Sequence, residues 1–312
     1  MTEFVLALHG GAGTLKRGTM TPEQEQQHRT ALEQALLAGY AVLQQGGSSL
    51  DAVVAATVVL EDCPLFNAGR GSVFTHEGLH EMDAAVMDGQ SLRAGAVAGI
   101  SAVRNPVLAA RRVMEHTQHV LLCGAGAEAF LRDEGIETAD AAYFHTPLRW
   151  EQLLSVRDSN QSILDHTETP AKREHKFGTV GAVALDSAGN LAAATSTGGL
   201  TNKRYGRVGD SPIIGQGTYA DTQVAVSATG MGEAFMKAMA AYDVAARMKY
   251  ARVGLAEAAH AVVHESVLRF GGYGGLIAVD QQGNVTLPFN TEGMYRGVIR
   301  KGGRPQVEIY QT

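Results

Sequence analysis

Cysteine, tryptophan and charged side chains are scarce in this chain of 312 residues. It has two cysteines and one tryptophan, and charged residues make up 19% of the sequence, against about 25% in ordinary globular proteins. Two cysteines, Cys63 and Cys123, cannot build a disulfide framework, so we interpret both as reduced thiols in apolar surroundings. With 45% hydrophobic residues, the low charge content excludes wholesale disorder.

Long apolar runs and an excess of positive charge are missing as well. The N-terminal segment carries Glu3 and lacks the basic region and the long apolar region of a signal peptide. No apolar stretch approaches the about 20 residues that a membrane span needs. The net charge is −6, which predicts neither a nucleic-acid nor a membrane partner. We therefore expect a cytoplasmic protein.

Glycine, in contrast, is abundant, with 37 residues that separate short apolar segments. Periodicity and end signals predict helices over 22–45, 49–62, 106–116, 127–133, 232–248 and 254–268. Alternating or small-residue runs predict strands over 4–8, 72–75, 79–88, 93–103, 120–123, 179–186, 191–199, 274–280 and 283–289. Because strands and helices are segregated, the pattern favours an α+β fold over a doubly wound parallel sheet.

The junction between Gly178 and Thr179 is the most informative point of the chain. The most polar stretch, 158–176, comes before it, and we interpret residues 158–177 as a mobile linker. Threonine is a weak nucleophile that needs a base. As the first residue of a new chain, its own α-amine, with a pKa of about 7.7–8.0, lies beside its hydroxyl and can accept that proton. The junction alone is also compatible with an ordinary loop before a strand.

Two other motifs suggest different classes of protein. Residues 76–80 match the zinc pattern H-E-x-x-H, but Gly78 interrupts it, so a polar hairpin tip is the competing interpretation. Residues 124–129 match the dinucleotide fingerprint G-x-G-x-x-A, with Asp140 at a distance that suits a ribose. A tight turn from strand to helix explains these glycines equally well. A cofactor-binding α/β protein and a zinc peptidase therefore stay open as alternatives.

Several long motifs stand in a fixed order along the chain. They are HGGAG (9–13), CPLFNAG (63–69), EMDA (81–84) with MDG (87–89), GTVGAVA (178–184), ATSTGG (194–199), GRVGDSP (206–212) and ATGMGE (228–233). Together they resemble the plant-type L-asparaginase/isoaspartyl peptidase family of N-terminal nucleophile hydrolases. The resemblance extends over residues 4–297, which is nearly the whole chain.

The resemblance implies one domain, 1–312, built as a four-layer αββα sandwich. The precursor would cleave itself into an α chain, 1–178, and a β chain, 179–312, which assemble as (αβ)₂. The implied substrates are small molecules, L-asparagine and β-aspartyl (isoaspartyl) dipeptides, which are hydrolysed to L-aspartate without a metal or organic cofactor for the chemistry. A glycosylasparaginase-like activity is the alternative within this superfamily.

The resemblance also assigns roles to particular residues. The implied catalytic set is the nucleophile Thr179, its partner Thr197, the oxyanion donors Thr229 and Gly230, and Asn67, which supports cleavage after Gly178. The implied substrate-binding set is Arg207 for the α-carboxylate, Asp210 for the α-ammonium and Gly232. Taken without the resemblance, Arg207 and Asp210 are equally typical of a surface ion pair, and Thr229 of a helix cap.

A structural sodium ion is a further implication of the resemblance. Its ligands would be the backbone carbonyls of Leu60, Glu61, Cys63, Phe66, Ala68 and Arg70. Arg70 is an unexpected cation at a position that is usually apolar. Tyr205 and Met231 also depart from the family pattern, and both flank the expected substrate pocket.

Overall fold

The computed structural model describes residues 3–158 and 178–311. The strands, in chain order, are β1 (Val5–Gly13), β2 (Met82–Asp88), β3 (Ala94–Ile100), β4 (Leu121–Cys123), β5 (Val180–Leu185), β6 (Leu191–Thr197), β7 (Thr218–Ala220), β8 (Val224–Gly230), β9 (Gly274–Asp280), β10 (Val285–Thr286), β11 (Gly293–Arg300) and β12 (Gln306–Tyr310). The α-helices are α1 (Pro22–Gln44), α2 (Ser49–Asp62), α3 (Pro106–His116), α4 (Gly124–Asp133), α5 (Ala141–Phe144), α6 (Pro147–Val156), α7 (Gly232–Ala238), α8 (Ala240–Ala246) and α9 (Leu255–Ala261). Apart from Asp158, the predicted linker 158–177 lies outside the described residues.

The strands form two sheets. The large sheet has the order β12-β11-β1-β5-β6-β2-β3-β4, and the small sheet has the order β10-β9-β8-β7. Neighbouring strands run antiparallel except β3 and β4, which are parallel and joined through α3. Strands β1, β5 and β6 therefore occupy the middle of the large sheet, where both faces are covered.

Alternation along these central strands produces two different packing surfaces. Leu6 and Leu8 of β1, with Ala182 of β5, belong to a cluster that includes buried residues of α1, α2 and α3. Their sequence neighbours Ala7 and Val183 belong to a second cluster with residues of β8 and β9. A third cluster joins the small sheet to α7, α8 and α9. The structure is thus a mixed α+β fold with two sheets, as predicted.

Local signals explain the first two helices, whose predicted bounds are confirmed to within a residue. The Thr21 hydroxyl accepts a hydrogen bond from the backbone N–H of Gln24, the Gln24 side chain returns one to Thr21, and Pro22 occupies the first turn. Ser48 caps α2 in the same way through the N–H of Asp51. Each cap satisfies N–H groups that have no partner inside the helix.

Other local predictions need correction. Residues 72–75 form no strand, only an isolated bridge at Thr75. The predicted helix 232–248 is divided, because Met239 adopts a left-handed conformation (φ 52°) between α7 and α8. The helix 254–268 continues past α9 as π-helical and 3₁₀ turns. Cys123 is exposed at the edge strand β4, so only Cys63, which is half-buried, fits the predicted apolar setting.

Strands β7, β8, β11 and β12 were not predicted. β11 contains two glycines and two arginines and lacks a clear alternation, yet it pairs along the full length of β1. Its place in the sheet comes from this long-range pairing. Within residues 3–158 and 178–311, no helix has the length and apolar character needed to cross a membrane.

We predict that Gly181→Ala destabilises the protein by about 1–3 kcal/mol, the usual cost of overpacking. A methyl group at Gly181 would lie 2.0 Å from the Ser227 hydroxyl oxygen and 2.7 Å from the Ala194 carbonyl oxygen. Gly126→Ala in α4 is the matched control, because a methyl group there meets open space and alanine favours a helix by about 0.5–1 kcal/mol. Urea midpoints followed by Trp150 fluorescence check both, and equal midpoints would contradict the prediction.

Candidate active site

Thr179 lies directly before β5 with its side chain buried. Its hydroxyl donates a hydrogen bond to Oγ1 of Thr197 at 3.2 Å. The Thr197 hydroxyl in turn donates to the carbonyl oxygen of Gly178 at 3.0 Å, while the N–H of Gly199 donates to Thr197 at 3.0 Å. The hydroxyl of Thr179 is thus connected, through one intermediate hydroxyl, to the carbonyl group of the preceding residue.

Gly178 adopts a conformation that favours glycine, with φ of +63°, which costs other residues about 1 kcal/mol or more. A methyl group added there would lie 3.4 Å from Oγ1 of Thr229, so the Thr229 hydroxyl lies beside the junction. Thr229 is buried, and its Oγ1 has no hydrogen-bond partner among the described residues. A buried hydroxyl without a partner is unusual. The Thr229 hydroxyl lies next to Gly178, the residue whose carbonyl oxygen accepts from Thr197.

Gly230 follows Thr229 at the end of β8. Its φ of +145° and the 2.3 Å between an added methyl group and the Tyr273 carbonyl oxygen leave no room for a side chain. Helix α7 begins two residues later at Gly232, and Thr229 makes no cap hydrogen bond to it. The alternative interpretation of Thr229 as the N-cap is therefore wrong.

Asn67 approaches the site from the loop after α2. Its Nδ2 donates to the Gly199 carbonyl at 2.8 Å, and its Oδ1 accepts from the N–H of Val73 at 2.9 Å. Its backbone carbonyl accepts from the N–H of Gly198. Asn67 thus contacts the two residues that follow Thr197, and it holds the turn that delivers the Gly199 N–H to the Thr197 hydroxyl.

Arg207 and Asp210 lie together, in contact with Gly232. The Arg207 guanidinium is enclosed by two glycines: a methyl group at Gly209 would lie 2.9 Å from Nη1, and one at Gly232 would lie 2.8 Å from Nη2. Nε and Nη2 donate to the two carboxylate oxygens of Glu233 at 2.9 Å each. This pair leaves the other edge of the guanidinium, between Nη1 and Nη2, for a second carboxylate.

Asp210 is almost fully buried, and its Oδ2 has no hydrogen-bond partner in the part of the chain that the structure describes. Burial raises the pKa of Asp210 to about 7, although the charge of Arg207 opposes the shift. A buried carboxylate oxygen without a hydrogen-bond partner is costly, and it would be stabilised by an ammonium group. The interpretation of Arg207 and Asp210 as a surface ion pair fails, because Arg207 pairs with Glu233.

Two polar residues of the site were not predicted from the sequence, His9 and Glu233. His9, Gly181 and Thr195 stand side by side on β1, β5 and β6. The missing side chain of Gly181 makes room for the Ser227 hydroxyl, which lies 2.9 Å from Nε2 of His9. His9 lies in the motif HGGAG and Glu233 in the motif ATGMGE. The spacing of these motifs in the sequence does not predict which residues His9 and Glu233 contact in space.

The loop 60–70 bears on the expected sodium ion. The Glu61 carbonyl oxygen lies 2.5 Å from a methyl position on Gly69, and the Phe66 carbonyl oxygen lies 2.0 Å from one on Gly71. The carbonyls of Glu61 and Phe66 therefore pack tightly against the glycine turn. The Arg70 side chain extends away, over the ring of Tyr143 at 5.5 Å, so its charge is no obstacle to a backbone ligand.

The two histidines of the zinc motif, His76 and His80, do not lie on a helix. Residues 76–78 form a turn, His76 contacts Oδ1 of Asn202 and His80 contacts the Val73 carbonyl. Among the described residues no group of three His, Cys, Asp or Glu side chains could hold a metal ion.

The dinucleotide motif lies at the edge of the large sheet, where α4 begins at Gly124, three residues earlier than predicted. Added methyl groups at Gly124 and Gly126 meet open space. Strand β4 pairs only with β3, which precedes it in the chain, so among the described residues α4 leads to no neighbouring parallel strand. The βαβ unit that the dinucleotide fingerprint requires is therefore absent there.

Comparison with known proteins agrees with this geometry. Residues 2–309 match a family model described as asparaginase. Isoaspartyl peptidase of Escherichia coli (strain K12) is 54% identical over 312 residues, covering 100% of this chain and 97% of that protein. Plant-type L-asparaginase of Pyrococcus abyssi is 41% identical over 309 residues, covering 95% and 96%. Isoaspartyl peptidase/L-asparaginase of Xenopus laevis is 43% identical over 299 residues, covering 95% and 92%. The chain therefore belongs to the asparaginase family that includes isoaspartyl peptidases and plant-type L-asparaginases, as its motifs predicted.

Proposed function

We propose that this chain is a self-processing amidohydrolase that hydrolyses β-aspartyl dipeptides and L-asparagine to L-aspartate. The observation that carries the proposal is the hydroxyl relay from Thr179 through Thr197 to the Gly178 carbonyl. The names of the full-length relatives, isoaspartyl peptidase and plant-type L-asparaginase, support the substrate class.

In self-cleavage, Oγ1 of Thr179 attacks the carbonyl carbon of Gly178. The new C–O bond forms, the C–N bond between the two residues breaks, and the hydroxyl proton ends on the released α-amine of Thr179. The Thr197 hydroxyl donates to the carbonyl oxygen as it gains charge, which is how a preorganised donor accelerates acyl transfer. One water then hydrolyses the ester and leaves chains 1–178 and 179–312.

In turnover, the free α-amine of Thr179 serves as the base for its own hydroxyl. The hydroxyl attacks the side-chain carbonyl of the substrate, and the amine passes the proton to the leaving nitrogen. Ammonia or an amino acid departs, and water hydrolyses the aspartyl ester. Thr229, whose hydroxyl lacks a partner among the described residues, and the N–H of Gly230 stabilise the oxyanion.

The α-amino acid part of the substrate binds to Arg207 and Asp210. Glu233 pairs with Nε and Nη2 of Arg207, and the Nη1–Nη2 edge pairs with the α-carboxylate of the substrate. Asp210 pairs with the α-ammonium beside Gly232. A carboxylate and an ammonium on one carbon need two opposite charges a few ångströms apart. This requirement accounts for a buried carboxylate next to a fixed guanidinium.

The remaining family expectations belong to the same proposal. The helices on the outer faces of the two sheets support a four-layer αββα sandwich, and the cleaved chains would assemble as (αβ)₂ in the cytoplasm. A sodium ion held by the carbonyls of loop 60–70 would order the segment that carries Asn67. Its role would be structural, and the chemistry would need no cofactor.

Thr179→Ala should leave one uncut chain without activity, because both the nucleophile for cleavage and the nucleophile for turnover are lost. Denatured mass and N-terminal sequencing measure the cleavage, and aspartate release measures the activity. Thr179→Ser keeps a hydroxyl and should still be cut. A cut Thr179→Ala variant would contradict the assignment of the nucleophile.

Arg207→Ala should raise KM for L-asparagine by about 10- to 150-fold. This fold-change corresponds to the loss of a hydrogen bond between charged groups, which contributes about 1.5–3 kcal/mol. Self-cleavage should persist, since the Gly178–Thr179 relay does not involve Arg207. Arg204→Ala removes the same charge from the same loop and is the control, with an expected KM within twofold of the wild type. Steady-state kinetics decide, and an unchanged KM for Arg207→Ala would refute the anchor.

Substrate binding should weaken as pH falls through about 7, the raised pKa of Asp210. Below that pH the carboxyl of the free enzyme is neutral and offers no charge to the α-ammonium. For a single competing proton, KM should rise about fivefold between pH 7 and pH 6. Asp210→Asn should show a high KM that is independent of pH in this range. A wild-type KM that stays constant from pH 8 to pH 6 would count against the role of Asp210.

A further inference from the structure

A chain of buried hydrogen bonds crosses from the small sheet to the carbonyl oxygen of Thr179. Nδ1 of His9 lies 3.1 Å from that oxygen, and Nε2 of His9 lies 2.9 Å from Oγ of Ser227. Ser227 lies 2.7 Å from Oγ1 of Thr195, which lies 2.6 Å from Oγ1 of Thr218. The His9, Ser227, Thr195 and Thr218 side chains are all completely buried.

The chemistry of these groups orders the protons of His9 and Ser227. A carbonyl oxygen only accepts, so Nδ1 of His9 must carry the hydrogen. Burial lowers the pKa of His9 to about 3, against the opposing effect of the bond to Thr179, so the ring is neutral and Nε2 must accept. The Ser227 hydroxyl therefore points at His9 and can accept from Thr195. The hydroxyls of Thr195 and Thr218 also have backbone acceptors, the carbonyl oxygens of Gly217 at 3.3 Å and Ser211 at 3.0 Å.

We propose that His9 is a positioning residue for the nucleophile: the hydroxyl chain holds its Nδ1–H on the Thr179 carbonyl and so fixes the direction in which Thr179 faces. The proposal rests on the proposed function, in which Thr179 is the nucleophile. Self-cleavage removes the peptide bond on the N-terminal side of Thr179. Afterwards Thr179 keeps its hydroxyl contact with Thr197 and its peptide bond to Val180, and His9 makes its hydrogen bond on this carbonyl side.

Two isosteres of His9 separate the bond to Thr179 from the bond to Ser227. The amide nitrogen of asparagine falls near the position of Nδ1, so His9→Asn keeps a donor for the Thr179 carbonyl. The amide group of glutamine reaches the position of Nε2, where its oxygen can accept from Ser227, so His9→Gln keeps the contact with Ser227 and loses the one with Thr179. We expect kcat of His9→Asn within fivefold of the wild type and kcat of His9→Gln at least 30-fold lower, with KM within threefold in both.

The matched control is His28, which is also buried and whose Nδ1 lies 2.7 Å from a backbone carbonyl, that of Gln24 in α1. His28→Gln should lower the thermal midpoint without changing kcat. A merely structural role for His9 would make its two variants lose activity in proportion to their loss of stability. Equal kcat for the Asn and Gln variants, or a higher kcat for Gln, would overturn the proposal.

A spectroscopic readout keeps the test independent of folding defects in the variants. Nitrogen-15 NMR of histidine-labelled wild-type protein should show, beside the signals of His28 and His80, whose Nδ1 also faces a backbone carbonyl, a neutral Nδ1–H imidazole that disappears in His9→Asn. A protonated ring or the Nε2–H tautomer at this position would overturn the proposed proton order. If wild-type protein is neither cut nor active, the proposed function fails, while the NMR spectrum still decides the proton order of His9.

Discussion

One line of hydrogen bonds between two apolar sheet faces holds the large and small sheets in register beneath Thr179. The facing surfaces are otherwise built from alanine, valine, leucine, isoleucine and methionine, and such surfaces tolerate small shifts. Buried imidazole and hydroxyl groups do not, since each lost hydrogen bond leaves an unsatisfied polar atom away from water. The row of His9 and Thr195 on one sheet therefore fixes where Ser227 and Thr218 of the other sheet must lie. Gly181, between His9 and Thr195, supplies the space.

Strand β6 connects this line to the loop on the opposite face of the large sheet. Thr195 and Thr197 point toward the small sheet and the junction, and Ser196 between them points the other way. Its hydroxyl donates to the carboxyl of Glu61 at 2.6 Å, which also accepts from the N–H of Val107. Burial raises the pKa of Glu61 to about 8, in spite of these hydrogen bonds. The end of α2, and with it the start of the loop carrying Asn67, is thus attached to the same strand as the Thr197 hydroxyl.

The parts of the fold with strong local signals were predictable from the sequence. Helices α1 and α2 have caps and apolar faces, and the strands β5 and β6 alternate between small and apolar residues around a clear turn. The break at Met239 was not predictable, because a left-handed methionine has no sequence signature and depends on tertiary packing. β11 was missed for a related reason: its pattern is ambiguous, and its pairing partner β1 is almost 300 residues away in the sequence.

The site shows the same division between local and long-range information. The motifs identified Thr179, Thr197 and Gly178 as candidate site residues, and hydrogen bonds connect these three residues in the structure. Sequence spacing contains nothing about His9 facing Ser227 or Glu233 facing Arg207, because these contacts depend on how the sheets and loops approach in space. Residues on a strand were thus predictable as members of a motif, and their partners across the sheets were not.

Under the proposed self-cleavage, the uncut chain is the first substrate of its own active site. The Gly178 carbonyl already accepts from Thr197, and the Thr229 hydroxyl lies beside Gly178 without a partner among the described residues. In the proposed mechanism the Thr197 hydroxyl acts on the Gly178 carbonyl during cleavage, and Thr229 with the N–H of Gly230 acts on the side-chain carbonyl of an aspartyl substrate during turnover. Both reactions place an amide carbonyl next to the Thr179 hydroxyl. In the same proposal Arg207 and Asp210, the anchors for the α-carboxylate and the α-ammonium, are used only in the second reaction. Changes to Arg207 and Asp210 can therefore alter substrate preference while the maturation of the chain is preserved.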